Sequence, residues 1–152
     1  MGWTVADARA FVRTVHEGQV DTLGRSLVEH LEAVCERVEQ MGGEEVDQVA
    51  ALLHHAVAEG GVQVADFGLL GLPDRAIAIV DALTRRPTET EDEHLHRMMD
   101  TAGAVRVLRA DLAHQLHPDQ LECVPAAERE RTLHRCCRIL AELDKEPELT
   151  FR

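Results

Sequence analysis

Residues 24–43 read GRSLVEHLEAVCERVEQMGG, and this stretch is the strongest indication of the fold class. Its apolar residues recur three or four positions apart, which is the period of one face of an α-helix: Leu27, Leu31, Val34, Val38 and Met41. The pair Gly42–Gly43 then ends the pattern, as glycine commonly does directly after a helix. We therefore predict a helix here.

The same period recurs along the rest of the chain. It predicts further helices over residues 4–16, 44–58, 73–83, 91–100, 103–116 and 125–143. A loop is expected up to Leu72, and residues 143–152 read as a frayed tail. Aromatic residues make up only 3% of the chain and apolar residues 45%, so the core must be aliphatic. We predict an all-α fold, a single domain of residues 1–152 containing about seven helices.

The charge of the chain limits its partners. A formal net charge of −12 argues against duplex nucleic acid and against an anionic membrane surface, since both need a basic face. A small phosphorylated ligand is still compatible with this net charge, because a cation or a few arginines can make the electrostatic potential positive locally. No run approaches ~18 apolar residues and MGWTVADARAF does not resemble a signal peptide, so a cytoplasmic location is expected.

Three ionisable residues stand beside apolar helix faces. His30 lies between Leu27 and Val34, His54 follows Ala50 by one turn, and Asp111 precedes Leu112. Burying a lone carboxylate in such a position is costly, and a divalent cation would pair it and give both imidazoles a ligand role. Each residue taken alone is equally explained as a hydrogen-bonded polar group at the edge of the core.

Four stretches follow one another along the chain: FVRTVHEGQVDTLGRSLVEHLEAV, AALLHHAVAE, IVDALTRRPTETEDEHLHRM and VRVLRADLAHQL. In this order they resemble HD-domain hydrolases of the RelA/SpoT type, which hydrolyse guanosine tetraphosphate. The first carries the family's spacing at His16, Gly18, Gln19, Asp21, Gly24 and His30. The second resembles the family's A-L-L-H-D-V-V-E-D. Together the four cover roughly residues 8–117, and they imply the helical fold of that family.

The resemblance implies one divalent metal ion, commonly manganese, held by His, His-Asp and Asp. His30, His54 and Asp111 match three of these ligands, and His55 stands where the family has the aspartate of its pair. A set of three nitrogens and one oxygen suits Zn²⁺, Fe²⁺ or Ni²⁺ better than Mn²⁺. Alternatively, His55 points away and leaves three ligands.

The resemblance also assigns a candidate catalytic base. The family places a Glu-Asp pair after its His-Asp, and these carboxylates help to activate the attacking water. Ala58 and Glu59 occupy those positions, so one carboxylate is lost and the other is one methylene longer. Glu59 is the predicted general base. The alternative is that Glu59 is a solvated acid at a helix end.

Substrate-side positions depart from the family as well. Thr22 replaces its lysine, and Gln115 replaces its final asparagine. Arg25 is the candidate phosphate ligand, or else a surface arginine. Gln19 and Asp21 either hold a base or ribose or fix the turn after the first helix.

These features predict a metal-dependent phosphohydrolase acting on a nucleotide or another small phosphate ester. The altered residues at 55 and 58 leave a second hypothesis: a catalytically inactive HD-domain descendant that serves as a nucleotide-binding or protein-interaction module.

Overall fold

The computed structural model describes residues 3–21 and 24–152, and the predicted all-α fold is confirmed there. The helices are α1 (Val5–Val15), α2 (Leu27–Gln40), α3 (Glu45–Leu53), α4 (Ala56–Gly60), α5 (Val64–Leu69), α6 (Asp74–Leu83), α7 (Glu91–Met99), α8 (Ala104–Gln115), α9 (Pro118–Leu121) and α10 (Ala126–Leu143), followed by a 3₁₀ helix (Pro147–Phe151). The described residues form no β-sheet, only an isolated antiparallel bridge between Val20 and Ser26. None of these helices is both long and apolar enough to cross a lipid bilayer.

Side-chain caps explain where two of the predicted helices begin. The Ser26 hydroxyl accepts a hydrogen bond from the backbone N–H of Glu29 at 3.3 Å, which starts α2. At α7 the Thr90 hydroxyl accepts from the N–H of Glu93, and the Glu93 carboxylate accepts from the N–H of Thr90. Thr90 and Glu93 thus form a reciprocal capping box, for which this Thr-x-x-Glu spacing is typical.

The structure has more helices than the seven expected. The predicted helix 44–58 is divided into α3 and α4 at His54 and His55, where the ψ angles move to −10° and −2°. Helical periodicity continues across this break, so the pattern of apolar residues does not detect it. The expected loop before Leu72 contains the short helix α5, which buries Phe67 and is too brief to show a period.

Helix α8 joins the two halves of the hydrophobic core. Val107 and Ala110 on α8 pack into a core formed mainly by α1, α2, α3 and α6. Val105, Leu108 and Leu112 on the same helix pack into a second core with α7 and α10. Residues on α8 between these two faces therefore lie where the cores meet, and Asp111 is one of them.

The tail is ordered rather than frayed, which corrects the sequence-based expectation. Leu149 and Thr150 in the 3₁₀ helix are each only 8% exposed. Arg109 of α8 donates a 2.9 Å hydrogen bond from Nε to the Thr150 hydroxyl and forms a 2.7 Å ion pair with Asp144. The tail contains too few apolar residues to show a pattern, so these contacts were not predictable.

We expect Leu149→Ala to lower the free energy of unfolding by about 2 kcal/mol, because it removes a side chain buried against the second core. The urea midpoint measures this change. Phe151→Ala is the matched control, since Phe151 is 75% exposed and its loss should leave the midpoint unchanged. Equal midpoints for Leu149→Ala and the unmodified protein would contradict the packed tail.

Candidate metal centre

Three separate parts of the chain bring four potential metal ligands together. His30 lies in the first turn of α2, His54 and His55 form the junction of α3 and α4, and Asp111 lies on α8. One ligand atom from each residue lies within 4.8 Å of those of the other three. In a tetrahedral site with nitrogen and oxygen donors, ligand atoms lie about 3.3–3.6 Å apart. Side-chain movements of about 1 Å would therefore bring all four into one coordination shell.

His54 provides the observation that best fits a cation. Its Nδ1 lies 2.5 Å from the Ala51 carbonyl oxygen and must carry a proton to donate there. Nε2 is buried and forms no hydrogen bond of ordinary length, since it faces Asp111 Oδ2 at 3.5 Å. With the proton on Nδ1, a neutral ring would offer the Nε2 lone pair to a cation. A cation bound by Nε2 and the Asp111 carboxylate would satisfy the buried nitrogen.

His30 is held from both sides. Its Nε2 lies 3.0 Å from Asp111 Oδ1, and its Nδ1 lies 2.6 Å from Nδ1 of His114. Burial, and then the charge of His30, lowers the pKa of His114 to about 4, so His114 is neutral at pH 7. A neutral His114 can accept a hydrogen bond from His30 Nδ1–H, and a neutral His30 ring would then offer its Nε2 lone pair to the cluster.

Asp111 is the anionic centre of the cluster, and its side chain is 18% exposed. Burial raises the pKa of Asp111, but interactions with His30 and His54 outweigh burial and hold that pKa well below its usual value. Gln115, one turn later on α8, donates from Nε2 to Asp111 Oδ1 at 3.1 Å. Gln115 Oε1 in turn accepts from Arg135 at 2.6 Å. Gln115, predicted to bind substrate, therefore positions Asp111.

His55 faces the cluster rather than pointing away from it. Its ring centroid lies 4.3 Å from that of His54 and 5.8 Å from that of His30. Its Nδ1 lies 3.5 Å from Glu59 Oε1. A hydrogen bond from His55 lowers the pKa of Glu59, which keeps the carboxylate ionised at neutral pH. His55 therefore links the candidate base Glu59 to the other candidate ligands.

The remaining predicted substrate residues form hydrogen bonds with other parts of the protein. Gln19 Oε1 lies 2.7 Å from His16 Nδ1, and Gln19 Nε2 donates to the Glu59 carbonyl oxygen at 2.9 Å. Arg25 Nε donates to Asp21 Oδ2 at 2.6 Å. These contacts favour the turn-fixing alternative for Gln19 and Asp21. Thr22 lies outside the described residues.

Gly60 allows α4 to approach α1 closely enough for these contacts. A Cβ atom added at Gly60 would lie 2.4 Å from Val15 Cγ1 and 3.2 Å from the His16 ring. Any side chain at this position would therefore push α4 away from α1. The close approach keeps the Glu59 carbonyl within reach of Gln19.

Two cavities open onto the cluster. The larger, of about 1120 Å³, contains Gln19, Asp21 and Arg25 in its wall, together with His30. The smaller, of about 340 Å³, contains His54 in its wall. Both are lined by His55, Glu59, Asp111 and Gln115. Small molecules can therefore reach the candidate ligands from two sides.

Sequence analysis missed two residues that belong to this site. His114 contacts His30 directly, and Arg135 is linked to Asp111 through Gln115. The spacing of Asp111 and His114 on one helix was a usable signal for His114. Arg135 had none, because its place depends on how α10 packs beside α8.

No model of a known protein family matches this chain, and no curated protein matches it. The relation to HD-domain hydrolases therefore rests on the four motifs and stays a prediction. The geometry of His30, His54, His55 and Asp111 is a separate observation, and it stands without that relation.

We expect His114→Ala to weaken the binding of a divalent cation by about 10–100-fold, since groups that orient a ligand histidine have effects of this size. Isothermal titration calorimetry with Zn²⁺ or Mn²⁺ measures the change. His114→Asn should recover part of the affinity, because its amide oxygen can still accept from His30. His134→Ala, at an exposed position of α10, should have no effect. Unchanged affinity in His114→Ala would contradict the orienting role.

Proposed function

We propose that this protein is a metal-dependent phosphohydrolase acting on a nucleotide or another small phosphate ester. One divalent cation, Mn²⁺, Fe²⁺, Ni²⁺ or Zn²⁺, would be held by His30, His54, His55 and Asp111. The observation that carries the proposal is the partnerless, buried Nε2 of His54, which faces the Asp111 carboxylate beside two open cavities. Buried polar atoms of a core are usually hydrogen-bonded, and the 3.5 Å from this nitrogen to Asp111 Oδ2 is longer than an ordinary hydrogen bond.

The chain supplies the groups that such a reaction needs. When bound, a divalent cation would polarise a phosphate oxygen and make a nearby water more acidic. Glu59 is ionised and borders both cavities, so it can accept a proton from that water. His55 keeps the Glu59 carboxylate near the cluster. Arg135 and Arg25 supply positive charge on the two sides for the phosphate oxygens.

The proposed relation to the HD-domain superfamily accounts for the order of these residues along the chain. His30, the pair at 54 and 55, and Asp111 follow the order of the family's ligands. The imidazole of His55 in place of a carboxylate makes the cluster less negative. This exchange favours Zn²⁺, Fe²⁺ or Ni²⁺, which accept nitrogen ligands readily.

The test is hydrolysis by metal-free protein reconstituted with each cation in turn. Substrates would be p-nitrophenyl phosphate, guanosine tetraphosphate and common nucleotides, with released phosphate, pyrophosphate or p-nitrophenol as the readout. We expect turnover with at least one cation. Glu59→Gln should lower kcat by about 10²–10⁴-fold while leaving cation affinity unchanged. Glu36→Gln, an exposed position outside both cavities, is the matched control.

Two other outcomes are informative. Cation-dependent binding of a nucleotide without turnover would support the alternative function, a nucleotide-binding module on an inactive HD-domain scaffold. If no cation gave either turnover or nucleotide binding, that result would contradict the proposal and leave a protein-interaction role.

A further inference from the structure

The candidate metal centre lies at the junction of the two cavities rather than at the end of one. His30 borders only the larger cavity, and His54 borders only the smaller. His55 and Asp111 border both. A phosphorus atom positioned at this junction would therefore have open space on two sides.

The smaller cavity is lined by apolar side chains together with charges of both signs. The apolar ones are aliphatic side chains and Met98: Leu83, Leu95, Met98, Leu108, Leu112 and Ile139. Three arginines also line it, Arg85, Arg135 and Arg138, as do the carboxylates Glu59, Glu91, Asp92 and Asp111. Glu91 and Asp92 pair with Arg138 at 2.9 and 3.7 Å, whereas no carboxylate of residues 3–21 and 24–152 forms an ion pair with Arg135. The cavity thus suits a small apolar group, with Arg135 able to approach a phosphate oxygen beside it.

The larger cavity has a different chemistry. Hydrogen-bonding side chains dominate its wall, among them Gln19, Ser26, Glu29, His114 and Gln120. Its volume of about 1120 Å³ is roughly three times that of the smaller cavity at about 340 Å³. Both volumes fall within or near the usual range of ligand pockets, about 300–1,000 Å³. The larger cavity can accommodate a polar group the size of a nucleoside.

We infer that the substrate is a phosphodiester with one polar substituent in the larger cavity and one small apolar substituent in the smaller. This inference rests on the proposed function. A phosphate monoester has a single organic substituent and would leave one cavity unused. A diester has one on each side of phosphorus, which matches the placement of the cavities about the cluster.

The reaction is a balanced hydrolysis. The water oxygen forms a bond to phosphorus, and the phosphorus–oxygen bond to one substituent breaks. Glu59 takes a proton from the water, and this proton is returned through solvent to the departing oxygen, which leaves as an alcohol. The products are a phosphate monoester and an alcohol, with no change of oxidation state.

The test compares a diester with a monoester that has the same leaving group. The substrates are thymidine 5′-(p-nitrophenyl phosphate) and p-nitrophenyl phosphate, with cation-reconstituted protein. We expect kcat/KM to be at least roughly tenfold higher for the diester, the scale of discrimination that one well-filled pocket gives. Equal kcat/KM values, or a preference for the monoester, would overturn the inference but leave the proposed function standing.

A variant that fills the smaller cavity tests the same point independently. Ala58 lines only the smaller cavity, so Ala58→Leu reduces its volume. We expect Ala58→Leu to lower kcat/KM for the diester by roughly tenfold or more, and to lower it less for thymidine 5′-phosphate, whose nucleoside needs only the larger cavity, with cation affinity unchanged. Ala113→Leu, at an exposed position of α8 outside both cavities, is the matched control.

Calorimetric binding distinguishes failure of the inference from failure of the proposed function. If no substrate is hydrolysed, the proposed function fails, and affinities for the two esters still test the two-cavity arrangement. Tighter binding of the diester, weakened by Ala58→Leu, would support that arrangement. Equal affinities, or no effect of Ala58→Leu, would overturn it.

Discussion

Replacing His54 by alanine is expected to abolish the stabilisation of this protein by divalent cations. A cation that binds only the folded state at a concentration 100 times its Kd raises the free energy of unfolding by about 2.7 kcal/mol. His54 Nε2 is the buried ligand atom without another partner, so its loss removes the strongest reason for a cation to bind. The melting temperature, measured with and without Zn²⁺, Mn²⁺, Fe²⁺ or Ni²⁺, gives the result.

The variant His134→Ala serves as the control for this experiment, because His134 is exposed on α10 and lies outside both cavities. It should keep the full cation-dependent shift. The same shift in His54→Ala and in the unmodified protein would mean that the cation binds elsewhere. If none of the four cations changed the melting temperature of the unmodified protein, the result would argue against the site itself.

The second large effect is expected at Asp47, which is fully buried. Its carboxylate accepts from Arg75 Nε at 3.0 Å, from Arg106 at 3.2 Å and from the backbone N–H of Glu44 at 3.0 Å. Asp47→Asn would leave the buried Arg106 guanidinium without its counter-charge. Breaking a buried ion pair in this way destabilises a protein by about 3–5 kcal/mol, and urea denaturation measures it.

Asp100→Asn is a suitable control for the loss of one carboxylate charge, since Asp100 is exposed at the end of α7. Its urea midpoint should stay close to that of the unmodified protein. If Asp47→Asn changed the midpoint as little as Asp100→Asn, the ion pairs around α3, α6 and α8 would not stabilise the fold as the structure implies. Cation binding should survive in Asp47→Asn, because Asp47 is not part of the cluster.

The sequence was sufficient to predict most helices because their apolar residues follow a clear period. The stripe from Leu27 to Met41 became α2, and the helix predicted over residues 91–100 became α7. The sequence was insufficient to predict other features of the fold. The break at His54–His55 leaves the apolar period unchanged, and the ordered tail at Leu149 depends on contacts between distant parts of the chain. The ion pairs of Asp47 depend on such contacts as well.

The four candidate ligands could be named from the sequence, but their supporting residues could not. His30, His54, His55 and Asp111 were found through motif order, and the structure brings them within 4.8 Å of one another. The substrate roles of Gln19 and Gln115 stay predictions, since a glutamine can hydrogen-bond to substrate or protein with equal ease. The structure adds that Gln115 holds Asp111 and that Gln19 holds the Glu59 backbone.

The central claim is that one divalent cation binds between α2, the α3–α4 junction and α8. Anomalous diffraction from crystals of the unmodified protein, grown with Zn²⁺ or Mn²⁺, tests it most directly. We predict one strong anomalous peak about 2.0–2.3 Å from nitrogen atoms of His30, His54 and His55 and from an oxygen of Asp111. A map without a peak among these four residues, or with its strongest peak held by other side chains, would contradict the claim.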